Sequence, residues 1–81
     1  MDKAGILRGL REIIEDVLGV DGAGISVTTT ATDVPEWDSL AHINIIVAAE
    51  QRFGVKFGTA EIDELRTVGD FVDLIARKRA G

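Results

Sequence analysis

The sequence predicts an all-α fold, a small antiparallel four-helix bundle of three main helices and one short helix with a long first connection. Three observations carry this expectation. Apolar residues recur at helical spacing in three separate segments. Glycine, threonine and proline break the pattern between the first two of these segments. The 81 residues suffice for one domain, residues 1–81, with a small core. A chain of this size buries only about 60% of its unfolded surface, which leaves little room for a deep, water-excluding active site. A 46% hydrophobic composition is enough to fold.

The first helix is expected from about Lys3 to Leu18. Ile6, Leu7, Leu10, Ile13, Ile14, Val17 and Leu18 form one stripe, with Arg8, Arg11, Glu12 and Glu15 on the other face. Gly19 supplies a C-terminal stop. From Val20 to Asp38 no helical pattern persists. Ile25-Ser26-Val27-Thr28 has strand-like composition, but no other segment offers a pairing partner. The stretch therefore reads as a long loop whose Ile25, Val27 and Val34 dip into the core. Loops of this length in small domains are usually functional or disordered.

The second helix is expected from Ser39 to Phe53, capped by Asp38 and ended by Gly54. Leu40, Ile43, Ile46, Val47 and Phe53 read as its buried stripe, with Ile45 on the flank. A short helix near Thr59–Leu65, capped by Thr59, follows the Val55-Lys56-Phe57 crossing. Thr67 opens the last helix, which runs to about Arg79 and buries Val68, Phe71, Val72, Leu74 and Ile75. Arg77, Lys78 and Arg79 suit the negative end of its dipole.

The net charge of −5 is unevenly placed. Residues 33–64 hold seven acids and only Arg52 and Lys56 as bases, while acids and bases balance elsewhere. Such a patch repels phosphate backbones, so nucleic acid is not an expected partner, and it steers basic protein surfaces instead. The N-terminal run Met1-Asp2-Lys3-Ala4-Gly5 is polar, and no apolar run reaches the roughly 18–20 residues a membrane span needs. A soluble, cytoplasmic monomer is the simplest expectation.

Several chemistries lack their residues. With no cysteine there is no disulfide, thiolate metal site or cysteine nucleophile. One histidine, His42, does not supply a histidine zinc site within one chain, and no metal is expected. Asp33, Glu36 and Asp38 do not follow a calcium-loop pattern. Gly19, Gly22 and Gly24 are not followed by the Gly-Lys-Ser/Thr of a phosphate loop. No Gly-x-Ser-x-Gly surrounds Ser39, so a serine hydrolase lacks its turn. His42 lies one turn after Ser39 and is read as exposed, without a catalytic role.

What remains is Ser39 in Pro35-Glu36-Trp37-Asp38-Ser39-Leu40, at the start of the second helix. A hydroxyl there faces the positive end of the helix and tolerates an attached anion. Trp37 either packs the loop on the bundle or contacts partners. Taken alone, Ser39 reads as an ordinary capping serine, because serine is among the preferred N-cap residues.

Asp38-Ser39-Leu40 followed by an amphipathic helix resembles the attachment site of acyl carrier proteins. The resemblance extends over nearly the whole chain, through length, acidity, helix order, long first loop and the later Glu50-Gln51-Arg52-Phe53-Gly54-Val55 run. It implies that Ser39 carries a 4′-phosphopantetheine group from coenzyme A, with Asp38 and Leu40 matching the flanking positions. It implies a protein that is not an enzyme but the substrate of a magnesium-dependent phosphopantetheinyl transferase. The arm's thiol would hold intermediates as thioesters, so the cofactor supplies the reactive sulfur that this chain lacks. Acyl-loading and acyl-processing enzymes would dock transiently, with Trp37, Leu40, Val47, Glu50, Glu61 and Ile62 as candidate contacts. The alternative is an unmodified acidic module that binds a protein partner.

The second helix departs from the strongly acidic helix of fatty-acid-synthesis carriers. Ala41, His42, Asn44, Gln51 and Arg52 fill its polar or flanking positions, and Glu50 is its one acid. The Trp-Asp-Ser-Leu form looks more like stand-alone carriers of specialised pathways. Its cargo class spans fatty acyl, polyketide, hydroxyacyl and aminoacyl units. Leu40, Ile43, Val47, Phe53, Ile62, Phe71 and Ile75 read as core, and in carriers such an interior can also open to hold an acyl chain.

Overall fold

The computed structural model describes residues 2–80; Met1, the first residue of the polar N-terminal run, and Gly81 lie outside the described residues. Four α-helices appear in the expected order: α1 (Lys3–Leu18), α2 (Ser39–Phe53), α3 (Thr59–Asp63) and α4 (Val68–Ala80). Helix α1 packs against both α2 and α4. Their facing residues, among them Ile6, Leu10, Ile14, Ile45, Phe53, Phe71 and Ile75, make one continuous core.

The two long helices that meet here have matching ends. Asp2 Oδ1 accepts from the Gly5 N–H at 2.8 Å, and Asp38 Oδ1 accepts from the Ala41 N–H at 2.8 Å. Each carboxylate thus satisfies one of the orphan donors of a first turn. Gly19 and Gly54 end the helices in the left-handed region, at φ +68° and +66°, where a Cβ would be strained.

The buried stripes of α1 and α4 match the expectation, but that of α2 does so only at Ile46 and Phe53. Ile45, Ile46, Ala49 and Phe53 are buried, whereas Leu40 is 68%, Ile43 56% and Val47 45% exposed. The expected stripe is rotated because α2 is apolar on two sides. Residues 40, 43 and 47 satisfy helical spacing as well as residues 42, 45, 46, 49 and 53 do, so periodicity alone does not choose between them. Leu40, Ile43 and Val47 are therefore not core. Ile62 is half-buried, while Phe53, Phe71 and Ile75 are buried as expected.

The long connection contains two single-turn 3₁₀ segments, Gly22–Gly24 and Ala31–Asp33. Ile25 is buried and Val34 half-buried, but Val27 is exposed, contrary to expectation. The segment from Ile25 to Thr28 forms no strand; its backbone serves α4 instead. The Val27 carbonyl accepts from the Gly69 N–H at 2.8 Å and the Thr29 carbonyl from the Val68 N–H at 2.9 Å. A residue pair, Thr30 and Thr67, forms an isolated antiparallel bridge beside these bonds. A Cβ on Gly69 would stand 2.9 Å from the Val27 carbonyl oxygen, so this close approach requires glycine. The loop's backbone thus accepts the Val68 and Gly69 N–H groups at the start of α4.

Helix α3 is shorter than expected, ending at Asp63, and Thr59 does not cap it. Gly58 is the capping residue, and its N–H donates to Glu61 Oε1 at 2.8 Å. The Glu61 carboxylate reaches back where a Thr59 hydroxyl, already inside the helix, does not. Thr67 does open α4: its hydroxyl accepts from the Asp70 N–H at 3.1 Å, and Asp70 Oδ2 accepts from the Thr67 and Arg66 N–H groups. These bonds hold the Asp70 carboxyl below its usual range.

Candidate functional site

Ser39 is exposed and is the first residue of α2. Asp38 immediately before it accepts the Ala41 N–H, and the first backbone bond of the helix runs from the His42 N–H to the Asp38 carbonyl at 2.9 Å. The N–H groups of Ser39 and Leu40 precede that bond and have no intrahelical acceptor. A hydroxyl in this position lies at the positive end of a 15-residue helix. An anionic substituent on Ser39 Oγ would sit within reach of the dipole, which partly offsets repulsion from Asp38. The exposed oxygen also gives a large partner access without disturbing the core. The residues present therefore fit a phosphate ester at this point.

The loop that delivers Ser39 is fixed by Trp37. The residue is 8% exposed, and its Nε1–H donates to His42 Nδ1 at 3.0 Å. The structure thus places Trp37 in the core as the loop's anchor, with little of the ring left for a partner. His42 is half-buried rather than on the exposed face. Burial pushes its pKa below the ordinary 6.5, because the charged form loses water. The Trp37 bond fixes the neutral tautomer with the proton on Nε2, so Nδ1 is already occupied as an acceptor. Among the described hydrogen bonds, Ser39 Oγ has none with His42, and the dyad of a serine nucleophile is not assembled.

Leu40, Ile43 and Val47 form an exposed apolar strip that begins one residue after Ser39 and follows α2. Periodicity reads these residues as core. A sign of their exposure lies in the alternative stripe through His42, Ile45, Ile46, Ala49 and Phe53, which has the right spacing and the larger volume. The candidate docking acids are partly committed. Glu50 Oε2 accepts from the Phe57 N–H at 2.9 Å and pins the chain after α2. Glu61 accepts from Gly58 and pairs with Lys78 Nζ at 2.8 Å, so its carboxyl lies below the usual range, chiefly through the Gly58 bond. Asp33 is likewise engaged, accepting from the Thr30 N–H at 3.0 Å. Glu36, Asp63 and Glu64 are exposed.

Comparison with known proteins agrees with this arrangement. A family model described as a phosphopantetheine attachment site matches residues 8–75. An acyl carrier protein of Acidothermus cellulolyticus is 42% identical over 76 residues, covering 94% of this chain and 90% of that protein. An acyl carrier protein of Myxococcus xanthus is 41% identical over 73 residues, covering 90% of this chain and 92% of that protein. The solution structure of a holo acyl carrier protein from Geobacter metallireducens aligns with a TM-score of 0.83 and 38% identity, covering 91% of this chain and 85% of that chain. With the bundle, the exposed serine at a helix start and these likenesses together, the chain belongs to the acyl carrier protein family, whose members bear a phosphopantetheine group and act as carriers rather than enzymes.

Proposed function

We propose that Ser39 is the attachment point of the 4′-phosphopantetheine arm, and that Asp38 and Leu40 flank it in direct support. The observation that carries this is the exposure of Ser39 at the first position of α2, with its loop anchored by Trp37 and its helix start capped by Asp38. The arm's thiol holds acyl intermediates as thioesters and moves them between enzymes of a fatty acid, polyketide or related specialised pathway. The near-neutral α2 favours a specialised pathway over bulk fatty acid synthesis, since that helix gives basic enzymes little charge to follow.

A phosphopantetheinyl transferase loads the arm, and acyl-loading and acyl-processing enzymes dock afterwards. Their contacts fall on Leu40 and Val47, with Ile43 between them, and on Glu61 and Ile62 of α3. Glu50 acts mainly through the backbone bond that shapes the end of this strip. The chain works as one domain, as a monomer, in the cytoplasm. No helix among the described residues is long and apolar enough to cross a membrane.

Intact mass after incubation with coenzyme A and a transferase tests the assignment. A gain of one phosphopantetheine is expected, and none in Ser39→Ala. No gain with several transferases favours an unmodified interaction module. Labelling of Ser39 by a fluorophosphonate without coenzyme A would point to a hydrolase.

A further inference from the structure

We infer that Trp37 and His42 plug the bundle interior beneath Ser39, so that a carried group stays outside and the cargo class is short or polar acyl units rather than long alkyl chains. The inference rests on Ser39 bearing the arm. Trp37 lies two residues before Ser39 and His42 three after it, so the pair brackets the start of α2. Their hydrogen bond at 3.0 Å ties the loop to the helix. The His42 ring meets Phe71 of α4 edge-on, with centroids 6.0 Å apart, and Phe71 meets Phe57 edge-on at 6.1 Å. Four rings from four different segments therefore form a row through the interior.

Little space is left in that row. The cavity between Trp37, His42, Leu65 and Phe71 measures about 10 Å³. Such a volume is at the limit for one water molecule and holds no alkyl chain. Entry of a chain past Trp37 or His42 requires that ring to swing away, which breaks their bond and strands a buried indole N–H. A larger groove of about 560 Å³ lies along α3 and α4, but it is open and Glu61, Glu64, Asp70 and Asp73 line it. Leu65, Leu74 and Ala76 line it as well, so an alkyl chain laid there lies in a shallow, solvent-open groove beside charged groups rather than in a dry interior. Each methylene that stays in water forgoes a factor of about four in favour of burial, so long chains gain nothing from this carrier.

The test uses the unmodified protein, to which a transferase adds acetyl- or decanoyl-phosphopantetheine from the corresponding coenzyme A ester, with adenosine 3′,5′-bisphosphate as the leaving group. Loading is confirmed by intact mass, which separates failure of the arm assignment from failure of the plug. Hydroxylamine cleavage of each thioester is measured against the same group on free pantetheine, together with the single indole N–H resonance. The wild type is expected to show normalised rates for the two groups within about threefold and an unmoved indole resonance. Protection of decanoyl beyond that, or displacement of the indole signal by decanoyl alone, overturns the plug. Trp37→Ala is expected to protect decanoyl about tenfold over acetyl, and His42→Ala serves if Trp37→Ala does not fold. Equal cleavage of both groups in the folded variants also overturns it. If Ser39 takes no arm, benzene binding to the unmodified protein decides. Saturable shifts in Trp37→Ala or His42→Ala but not in the wild type support a plugged interior, and saturable binding to the wild type, or to neither variant, refutes it.

Discussion

Helices α1 and α2 start and stop by the same devices, yet they differ in what their outer faces do. Each begins at an aspartate whose carboxylate takes a backbone N–H three residues on, and each ends at a left-handed glycine. The outer face of α1 carries Arg8, Glu12, Glu15 and Asp16. Its one apolar stripe has a single place to go, and the helix is oriented by burial alone. The outer face of α2 carries Leu40, Ile43 and Val47, with Asn44 and Gln51 between and beside them. A second apolar face of this kind contributes nothing to the core. Exposed apolar strips next to an accessible reactive position mark surfaces used by partners. The difference teaches that α1 is shaped by folding alone, whereas α2 has a second apolar face that burial does not explain and that the proposed docking would use.

The largest effect is expected where α2 serves folding. Phe53 is 1% exposed against α1, and Phe53→Ala should lose about 3–5 kcal/mol of stability in urea unfolding. A loss below about 1 kcal/mol would mean that α2 does not pack as described and would dissolve the contrast between its faces. The caps provide the next step. Asp2→Ala and Asp38→Ala should each lose about 1 kcal/mol, because each removes one carboxylate from one first-turn N–H. Markedly unequal losses in denaturant midpoint would show that the two starts are not equivalent, and that the Ser39 end is held by something beyond its cap.

The same contrast explains what the sequence makes legible. The stripes of α1 and α4 are readable because charged residues fill their opposite faces and leave one solution. Asp38 and Gly54 are readable because end chemistry is local. The orientation of α2 is not, since Leu40, Ile43 and Val47 compete with Ile45, Ile46 and Ala49, and the choice is made by α1 and α4 packing on the bulkier side. Ser39 stands out through its place at the start of a helix, without reference to the core. The inward turn of His42 depends on the Trp37 bond, which joins two segments that a pattern search treats separately. The capping of α4 by the Val27 and Thr29 carbonyls involves backbone atoms alone, so no residue type announces it. Gly58 displaces Thr59 as the cap for a similar reason, because the deciding contact comes from Glu61.

A smaller effect is expected from pH, again on the inner face of α2. Desolvation lowers the His42 pKa in the folded state from its ordinary 6.5, so the folded protein favours the neutral ring. Its contribution to stability is complete above 6.5 and is lost as pH falls from there toward the lowered value. Protonation also removes the acceptor that holds Trp37. Among the groups packed nearby, Trp37 and Phe71 are uncharged and Arg66 lines the same cavity; desolvation is what lowers the ring's pKa. Glu61 and Asp70, whose pKa values are also lowered, give up stability only below about 4.5 and 3.8 respectively. The histidine step is therefore separable, and it is modest because the ring is only half-buried. Thermal melts should show it in the wild type and lack it in His42→Asn, whose amide oxygen can replace Nδ1 as an acceptor. A step that persists in the variant would assign it to another group.

The smallest effect on stability belongs to the outer face. Leu40→Ala and Val47→Ala remove side chains that are 68% and 45% exposed, so melting should move by no more than about 0.5 kcal/mol in either direction. Alanine's better helix propensity offsets part of the lost contact, most of all at the β-branched Val47. Function should respond differently. If partners grip this strip, each variant should raise the concentration of carrier needed for half-maximal modification while leaving the maximal rate nearly unchanged, since the serine itself is untouched. An unchanged concentration dependence in both variants would leave α2 with one working face and return the docking surface to α3. A clear loss of stability would do more damage, for it would place Leu40 and Val47 in the core, where periodicity first puts them. Stability and modification kinetics together therefore decide which of two equally spaced stripes the helix buries and what the other one is for.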